Sequence, residues 1–287
     1  MIPAPFDYIA PTTVDEAVAA LHEAGEDAKV VAGGQSLMPV LRLRMAAPSV
    51  LVDLGRIPEL RGIRDDGDAL VIGATTTHHD VLHDPLVAEH ARLLAEATAT
   101  VADPQIRHRG TFGGSLVHAD PAGDLAAPAV ALGASFTVAG PSGRRTLGTD
   151  EFFQDYFTTA LEPDELLVEV RVPKHTGWAA RYEKFHRAAQ QWSIVGVAAT
   201  LEVTGGTVAQ ARVALTNMAA VPVRARSVEE SLVGRPATAE TIREAAEHAA
   251  EGTSPMTDGN ADAEYRSHLA RVLTRRAVTT AAGVGSA

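Results

Sequence analysis

Apolar residues recur at helical spacing from Val14 through Ala17 and Val18 to Leu21, and Gly25 ends the pattern. Thr13 precedes the run and Glu16 follows three residues on, the form of a capping box, so a first helix is predicted here. Short unbroken apolar runs then read as buried strands: "KVVA" (29–32), "LVDL" (51–54) and "ALVIGA" (69–74). A helix-like pattern covers roughly 79–99. "SFTVAG" (135–140) and "LLVEVRVP" (166–173) read as strands on either side of the aromatic-rich "EFFQDYF" (151–157), which reads as core packing.

Pro173 to Gly177 punctuates the chain and marks a predicted domain boundary, separating residues 1–175 from 176–287. Beyond it, residues 193–219 alternate apolar and polar positions on both sides of Gly205 and Gly206, a hairpin signal because two glycines accept the positive φ angles of a tight turn. Ala-, Glu- and Arg-rich segments at 225–234, 239–251 and 261–280 read as helices that close an α+β second domain. Only the last residues, "GVGSA", read as a disordered tail.

The chain's 287 residues, 46% of them hydrophobic, suffice for one large domain or two modest ones. A formal charge of -11 with no dense Lys/Arg tract argues against nucleic acid and anionic membrane surfaces as partners. There is no cysteine, which excludes disulfides, thiolate catalysis and Cys-ligated zinc or iron-sulfur centres in this chain. No signal-peptide pattern and no apolar run of about 20 residues is present, so membrane insertion is not expected and the cytoplasm is the expected location.

Two glycine-rich stretches carry the candidate chemistry. "VVAGGQSLMP" (30–39) runs from a strand into Gly33 and Gly34, whose bare backbone would let N–H groups wrap an anion such as a pyrophosphate, with the Ser36 hydroxyl as a further donor. An ordinary turn is the competing reading. "RGTFGGSLVHADPAGDL" (109–125) repeats the arrangement with Thr111, Gly113, Gly114 and Ser115, and Asp124 follows. Two donor loops and one acid suit a bulky dinucleotide, the acid accepting from a sugar or ribityl hydroxyl; a helix N-cap explains Asp124 equally well. Neither a Rossmann fingerprint nor a P-loop occurs.

With these loops the chain resembles the FAD-binding medium subunits of the molybdenum hydroxylases, the xanthine dehydrogenase family. The similarity runs nearly end to end and is carried by "IPAPFDYIAPTTVDEAV", "AGGQSLMPVLRLRMAAP", "IGATTTH", "IRHRGTFGGSLVHADPAGD", "DELLVEVRVP" and "YEKFHRAAQQWSIVGVAA". The resemblance implies an α+β fold: a two-lobed FAD-binding domain of the vanillyl-alcohol-oxidase (PCMH) type over 1–175, with lobes of about 1–57 and 58–175. A C-terminal domain of CO dehydrogenase flavoprotein type, a three-stranded antiparallel sheet with helices, is implied for 176–287.

It also implies that Ala32, Gly33, Gly34, Gln35, Ser36 and Leu37, together with Thr111, Gly113, Gly114 and Ser115, hold the FAD pyrophosphate. Asp124 would bind ribityl or ribose hydroxyls, and Leu167 and Lys184 match positions that approach the flavin. Trp192 matches an aromatic beside the isoalloxazine; a core aromatic at the start of a strand is the competing reading. Gln191 stands where relatives commonly carry an acid, and Gln35 where carbon monoxide dehydrogenases often carry His.

No catalytic side chain is implied in this chain, since the flavin is its contribution. The resemblance supplies a small subunit with two [2Fe-2S] clusters and a large subunit with a molybdenum cofactor, in a dimer of heterotrimers. Electrons would pass from molybdenum through the clusters to FAD and on to an external acceptor such as a quinone. Overall similarity favours the aerobic carbon monoxide dehydrogenase branch, with nicotine, quinoline, xanthine and aldehyde-type hydroxylases as alternatives.

Readings of other classes are weaker. "GGQSL" and "GGSLV" do not complete G-x-S-x-G, so a hydrolase elbow is absent. His79 and His83 in "HHDVLHDP" share a helix face but lack the zincin Glu and a further ligand, and a surface or capping cluster is the expectation. His108 and His118 flank the second glycine loop. A noncatalytic scaffold without FAD is the remaining alternative.

Overall fold

The computed structural model describes residues 2–285 and is mixed α and β. The chain opens with β1 (Asp7–Ile9), α1 (Val14–Ala24), β2 (Ala28–Val31), α2 (Leu37–Arg42) and β3 (Val50–Asp53). The strands form a parallel sheet in the order β1-β3-β2. The capping box is present: Thr13 Oγ1 accepts from the Glu16 N–H at 3.2 Å, and the Glu16 carboxylate accepts from the Thr13 N–H at 3.3 Å. Gly25, at φ 66°, ends α1, whose Val14, Ala17, Val18 and Leu21 pack with Val52 and Leu54. Parallel strands align their carboxyl ends, and the 32–36 loop leaves the sheet at that edge.

The second sheet is antiparallel, ordered β4-β5-β10-β6-β7. It is built from β4 (Ile63–Asp65), β5 (Ala69–Gly73), β6 (Ser135–Gly140), β7 (Gly143–Gly148) and β10 (Leu166–Pro173), with β8 (Phe153–Asp155) and β9 (Thr158–Thr159) as a separate pair. Between β5 and β6 lie α3 (His78–His83), α4 (Pro85–His90), α5 (Arg92–Ala99), α6 (Pro104–Arg107), α7 (Phe112–His118) and α8 (Ala126–Leu132); α9 (Thr149–Phe152) follows β7. The helical pattern read over 79–99 is thus three helices. Asp84 caps a new start at Pro85 by accepting from the Leu86 and Val87 N–H groups, and Ala91 leaves helical geometry before α5. The aromatic segment splits as well: Phe152 and Phe153 are buried beside Phe136, whereas Tyr156 and Phe157 are exposed.

The remaining strands, β11 (Ala179–Phe185), β12 (Val195–Thr204), β13 (Thr207–Thr216) and β14 (Val223–Arg224), form an antiparallel sheet covered by α10 (Arg226–Leu232), α11 (Ala239–Ala246) and α12 (Ala263–Ala281). Gly205 and Gly206, at φ 58° and 79°, make the expected hairpin turn. The three strands expected here are four. Two residues are too few to show alternation, and β14 is held by a side-chain pair: Arg224 binds Glu229, whose carboxylate also accepts the Val213 N–H of β13. All seven residues of α8 are buried, and all but Pro128 share one apolar cluster with Phe136 of the second sheet and Tyr182, Ala198 and Ala214 of the third. This packing brings β11 and the β11–β12 loop beside the segment that follows α7. Val284, read as part of a tail, packs against the third sheet's core; Ser286 and Ala287 lie outside the described residues. No described helix is long and apolar enough to cross a membrane.

Candidate functional site

The first glycine loop is shaped by its contact with the second. A Cβ on Gly33 would lie 2.2 Å from the Arg109 carbonyl oxygen and 2.7 Å from the Gly110 Cα, so only glycine fits. Gly34 takes φ 75°, and the Gln35 side-chain amide donates to the Gly33 carbonyl at 3.1 Å, which pins the bend. Among the described residues none accepts from the backbone N–H of Gly33, Gly34, Gln35 or Ser36, and all four are half-buried. Ser36 stands at the start of α2 without using its hydroxyl as a cap. A run of four free amides beside a free hydroxyl is a concavity for an anion. Ala32 and Leu37 bound it, both half-buried.

The second loop is built differently. The N–H groups of Phe112 and Gly113 donate to the Thr76 and Ala74 carbonyls, each at 2.9 Å. Those of Gly114 and Ser115 donate to the Thr111 hydroxyl and carbonyl, and the Ser115 hydroxyl donates to the Phe112 carbonyl at 2.8 Å. A Cβ on Gly113 would lie 2.6 Å from the Ala74 Cβ, so this glycine serves close packing against the end of β5. The loop therefore exposes Gly114, while the buried Thr111 hydroxyl keeps its proton undonated and the amides from Phe112 to Ser115 are already paired.

Arg109, which sequence reasoning missed, lies between the loops. It lines a cavity of about 270 Å³ with Gly33, Gly34, Phe6, Tyr8 and Asp53. Its guanidinium is exposed and has no partner among the described residues, and it is the only cationic residue in the lining. At the carboxyl edge of the parallel sheet the Tyr8 hydroxyl donates to Asp53, which also accepts the Gly55 N–H at 2.8 Å. That hydrogen bond raises the Tyr8 pKa. Nothing periodic distinguishes Phe6, Tyr8, Asp53 or Arg109; the only signal is an arginine directly before the second glycine stretch. A larger cavity, about 400 Å³, lies apart from the loops near the β6–β7 turn, and in its lining Arg145 pairs with Glu165, Arg144 with Glu59 and His22 with Asp164.

Asp124 is buried and does not cap a helix: the N-cap of α8 is Leu125, and no side chain caps it. Its carboxylate accepts from Tyr182 Oη at 3.0 Å, Ser193 Oγ at 2.8 Å and Lys184 Nζ at 2.7 Å. Burial pushes the Asp124 pKa up, and Lys184, Ser193 and Tyr182 pull it back. Lys184 donates as well to the Thr100 carbonyl at 3.2 Å, which ties β11 to the end of α5. Leu167 is 3% exposed, within the main core at the β10 bulge. Trp192 is 56% exposed, so the reading of a core aromatic is wrong: the β11–β12 loop holds the ring out, and Gln191 folds that loop by accepting the Ala188 N–H.

The histidines are placed as follows. His78 is buried beneath Gly110, its Nδ1 lacks a partner, and burial, then the Arg107 charge, lowers its pKa to about 4. The His79 ring lies 4.3 Å from that of His83 and stacks at 3.8 Å on His108. Among the described residues no three His, Asp or Glu groups are placed to hold a metal ion. His118 is half-buried against Phe157.

Comparison with known proteins gives a consistent family. Residues 4–175 match the FAD binding domain in molybdopterin dehydrogenase, and residues 180–281 match the CO dehydrogenase flavoprotein C-terminal domain. The chain is 44% identical over 284 residues to the carbon monoxide dehydrogenase medium chain of Hydrogenophaga pseudoflava, covering 98% of each chain. The solved structure of that enzyme superimposes with a TM-score of 0.95 over 98% of both chains. The medium chain from Afipia carboxidovorans is 39% identical over 98% of each chain. Quinoline 2-oxidoreductase from Pseudomonas putida 86 superimposes with a TM-score of 0.94 at 34% identity, over 99% of each chain. With family matches covering both parts of the chain and relatives aligned from end to end, the protein belongs to the FAD-binding medium subunits of the molybdenum hydroxylases.

Proposed function

We propose that this chain is the FAD subunit of an aerobic carbon monoxide dehydrogenase, acting in the oxidation of CO and water to CO2, two protons and two electrons. The observation that carries the flavin reading is the run of free amides from Gly33 to Ser36 above a cavity whose one cation is Arg109. The end-to-end 44% identity to a carbon monoxide dehydrogenase medium chain supports the substrate. The near-equal superposition of quinoline 2-oxidoreductase supports the second reading, a heterocycle hydroxylase.

The fit to FAD follows from the chain's own groups. The Gly33–Ser36 amides, the Ser36 hydroxyl and Arg109 hold the pyrophosphate, and Ala32 and Leu37 wall it. Thr111, with Gly113, Gly114 and Ser115 behind it, closes the opposite side through its hydroxyl. The Tyr8–Asp53 pair accepts sugar hydroxyls at the sheet edge, and Phe6 offers a face to a planar base. Asp124 and Lys184 orient the ribityl side, Leu167 backs the ring, and Trp192 lies beside it. When bound, FAD supplies one- and two-electron transfer.

In this reading residues 1–175 form the PCMH-type FAD domain, in lobes of about 1–57 and 58–175, and residues 176–287 form the C-terminal domain. Partners are a small subunit with [2Fe-2S] clusters and a large subunit with a molybdenum cofactor, in a cytoplasmic dimer of heterotrimers that delivers electrons to a quinone.

The test is a visible spectrum of the natively purified complex before and after anaerobic addition of CO. Bleaching of the flavin and iron-sulfur bands is expected. Bands that stay with CO but bleach with an N-heterocycle would move the substrate to the second reading, and a complex without flavin bands would overturn the cofactor.

A further inference from the structure

We propose that Tyr182 and Ser193 are positioning residues of the cofactor site: from β11 and the β11–β12 loop they hold the Asp124 carboxylate in one orientation, and Ser193 also anchors the Trp192 loop. The proposal rests on the FAD reading above. Neither residue is exposed to a ligand, so each acts through a neighbour.

The 119–124 turn is clamped at three points by residues flanking the third sheet, Ser193 before β12 and Asn217 after β13. The Ser193 N–H donates to the Ala122 carbonyl at 3.4 Å, the Asn217 N–H donates to the Pro121 carbonyl at 2.8 Å, and the Ser193 hydroxyl reaches Asp124. The Asn217 side-chain amide in turn donates to the Ser193 carbonyl at 2.8 Å. The N–H, hydroxyl and carbonyl of Ser193 are therefore all engaged. Trp192 is the preceding residue, joined to Ser193 through a peptide plane that the Ala122 contact fixes. Its ring projects outward from an anchored backbone.

The space around Tyr182 is built for its hydroxyl. A Cβ on Gly196, the second residue of β12, would lie 2.6 Å from the Tyr182 oxygen and 3.0 Å from the Thr216 Cβ, so glycine within the strand, ordinarily unfavourable, leaves room for that hydroxyl. The same hydroxyl lies 3.4 Å from Thr216 Oγ1 and 3.0 Å from Asp124 Oδ1. A carboxylate so buried stays charged only while donors surround it. Among the described residues Lys184 is the one charged group facing Asp124, and Tyr182 is the other titratable neighbour. Loss of either hydroxyl removes a donor and raises the Asp124 pKa further.

The experiment uses the assembled complex carrying Tyr182→Phe, Ser193→Ala or Ser193→Thr. FAD affinity is measured from pH 6 to 9 alongside the melting temperature. Tyr182→Phe and Ser193→Ala should weaken FAD binding roughly tenfold, the value of one hydrogen bond to a charged group. The loss should deepen as pH falls, and Ser193→Thr should restore binding. FAD affinity and pH profile unchanged in Tyr182→Phe would overturn the proposal, as would a pH-independent loss that tracks the melting temperature. A second readout does not depend on FAD: in the FAD-stripped complex, Ser193→Ala should speed hydrogen exchange at the backbone amides of the Trp192 loop. Unchanged exchange would overturn the anchoring of the loop, whereas a parent complex without FAD would overturn the cofactor reading.

Discussion

Gly33 lies directly against the carbonyl of Arg109, leaving no room for even a methyl group. This contact locks the first glycine loop to the strand of chain that enters the second. Gly113 makes the corresponding contact with Ala74. Gly33→Ala and Gly113→Ala are therefore expected to destabilise the fold, by about 1–3 kcal/mol, through backbone collision. Thermal melts should fall by roughly 2–4 °C per kcal/mol. An unchanged melt in either variant would show that the close approach is relaxed in solution.

Arg109→Ala separates cofactor binding from folding. The substitution keeps the Arg109 carbonyl that meets Gly33 and removes an exposed, unpaired guanidinium. Stability should stay within about 0.5 kcal/mol, as for most surface changes. The FAD dissociation constant should rise about ten- to a hundredfold, because a guanidinium on phosphate makes charge-assisted hydrogen bonds. Titration of FAD into the apoprotein at two salt concentrations checks this. Equal affinity in parent and variant would remove the Arg109 cavity from the site.

Local chemistry was legible in the sequence, and convergence was not. Thr13 and Glu16, the Gly205–Gly206 turn and the β10 run each depend on neighbours in the chain, so their residues announce them. The first glycine loop was legible as a stretch of unobstructed backbone for the same reason. The reason for its glycine at 33 lies 76 residues away at Arg109, and no local pattern encodes it. Asp124 was legible as an important acid but not its partners, because Tyr182, Lys184 and Ser193 reach it only once α8 packs between two sheets. The second loop's amides looked free in one dimension; in three, those of Phe112 and Gly113 are consumed by the segment after β5 and those of Gly114 and Ser115 by Thr111.

Trp192→Ala tests the flavin side of the site. A ring 56% exposed contributes little to the core, so stability should stay within about 0.5 kcal/mol. An aromatic stacked on the isoalloxazine quenches its emission, so bound FAD should become more fluorescent in the variant. Emission identical to that of the parent would place the ring away from the cofactor.

His78 gives the fold a pH dependence of known sign. Its ring is buried, Nδ1 is unpartnered, and its pKa in the fold is about 4. In the unfolded chain the ordinary value is about 6.5. Above that value both states hold the ring neutral, and the stability contribution is fully present. As pH falls from about 6.5 to about 4, the unfolded state takes up a proton that the folded state refuses, and stability is lost by as much as about 3 kcal/mol. His78→Gln removes this titration. Urea unfolding at pH 7.5, 6 and 5 should show a shallower fall for the variant than for the parent, whatever the offset between them at pH 7.5. Because the His78 ring supports Gly110 and the His78 backbone N–H donates to the Gly110 carbonyl, the parent's loss should coincide with weaker FAD retention. Parallel stability profiles in the two proteins would mean that the ring is not held neutral beneath the second loop.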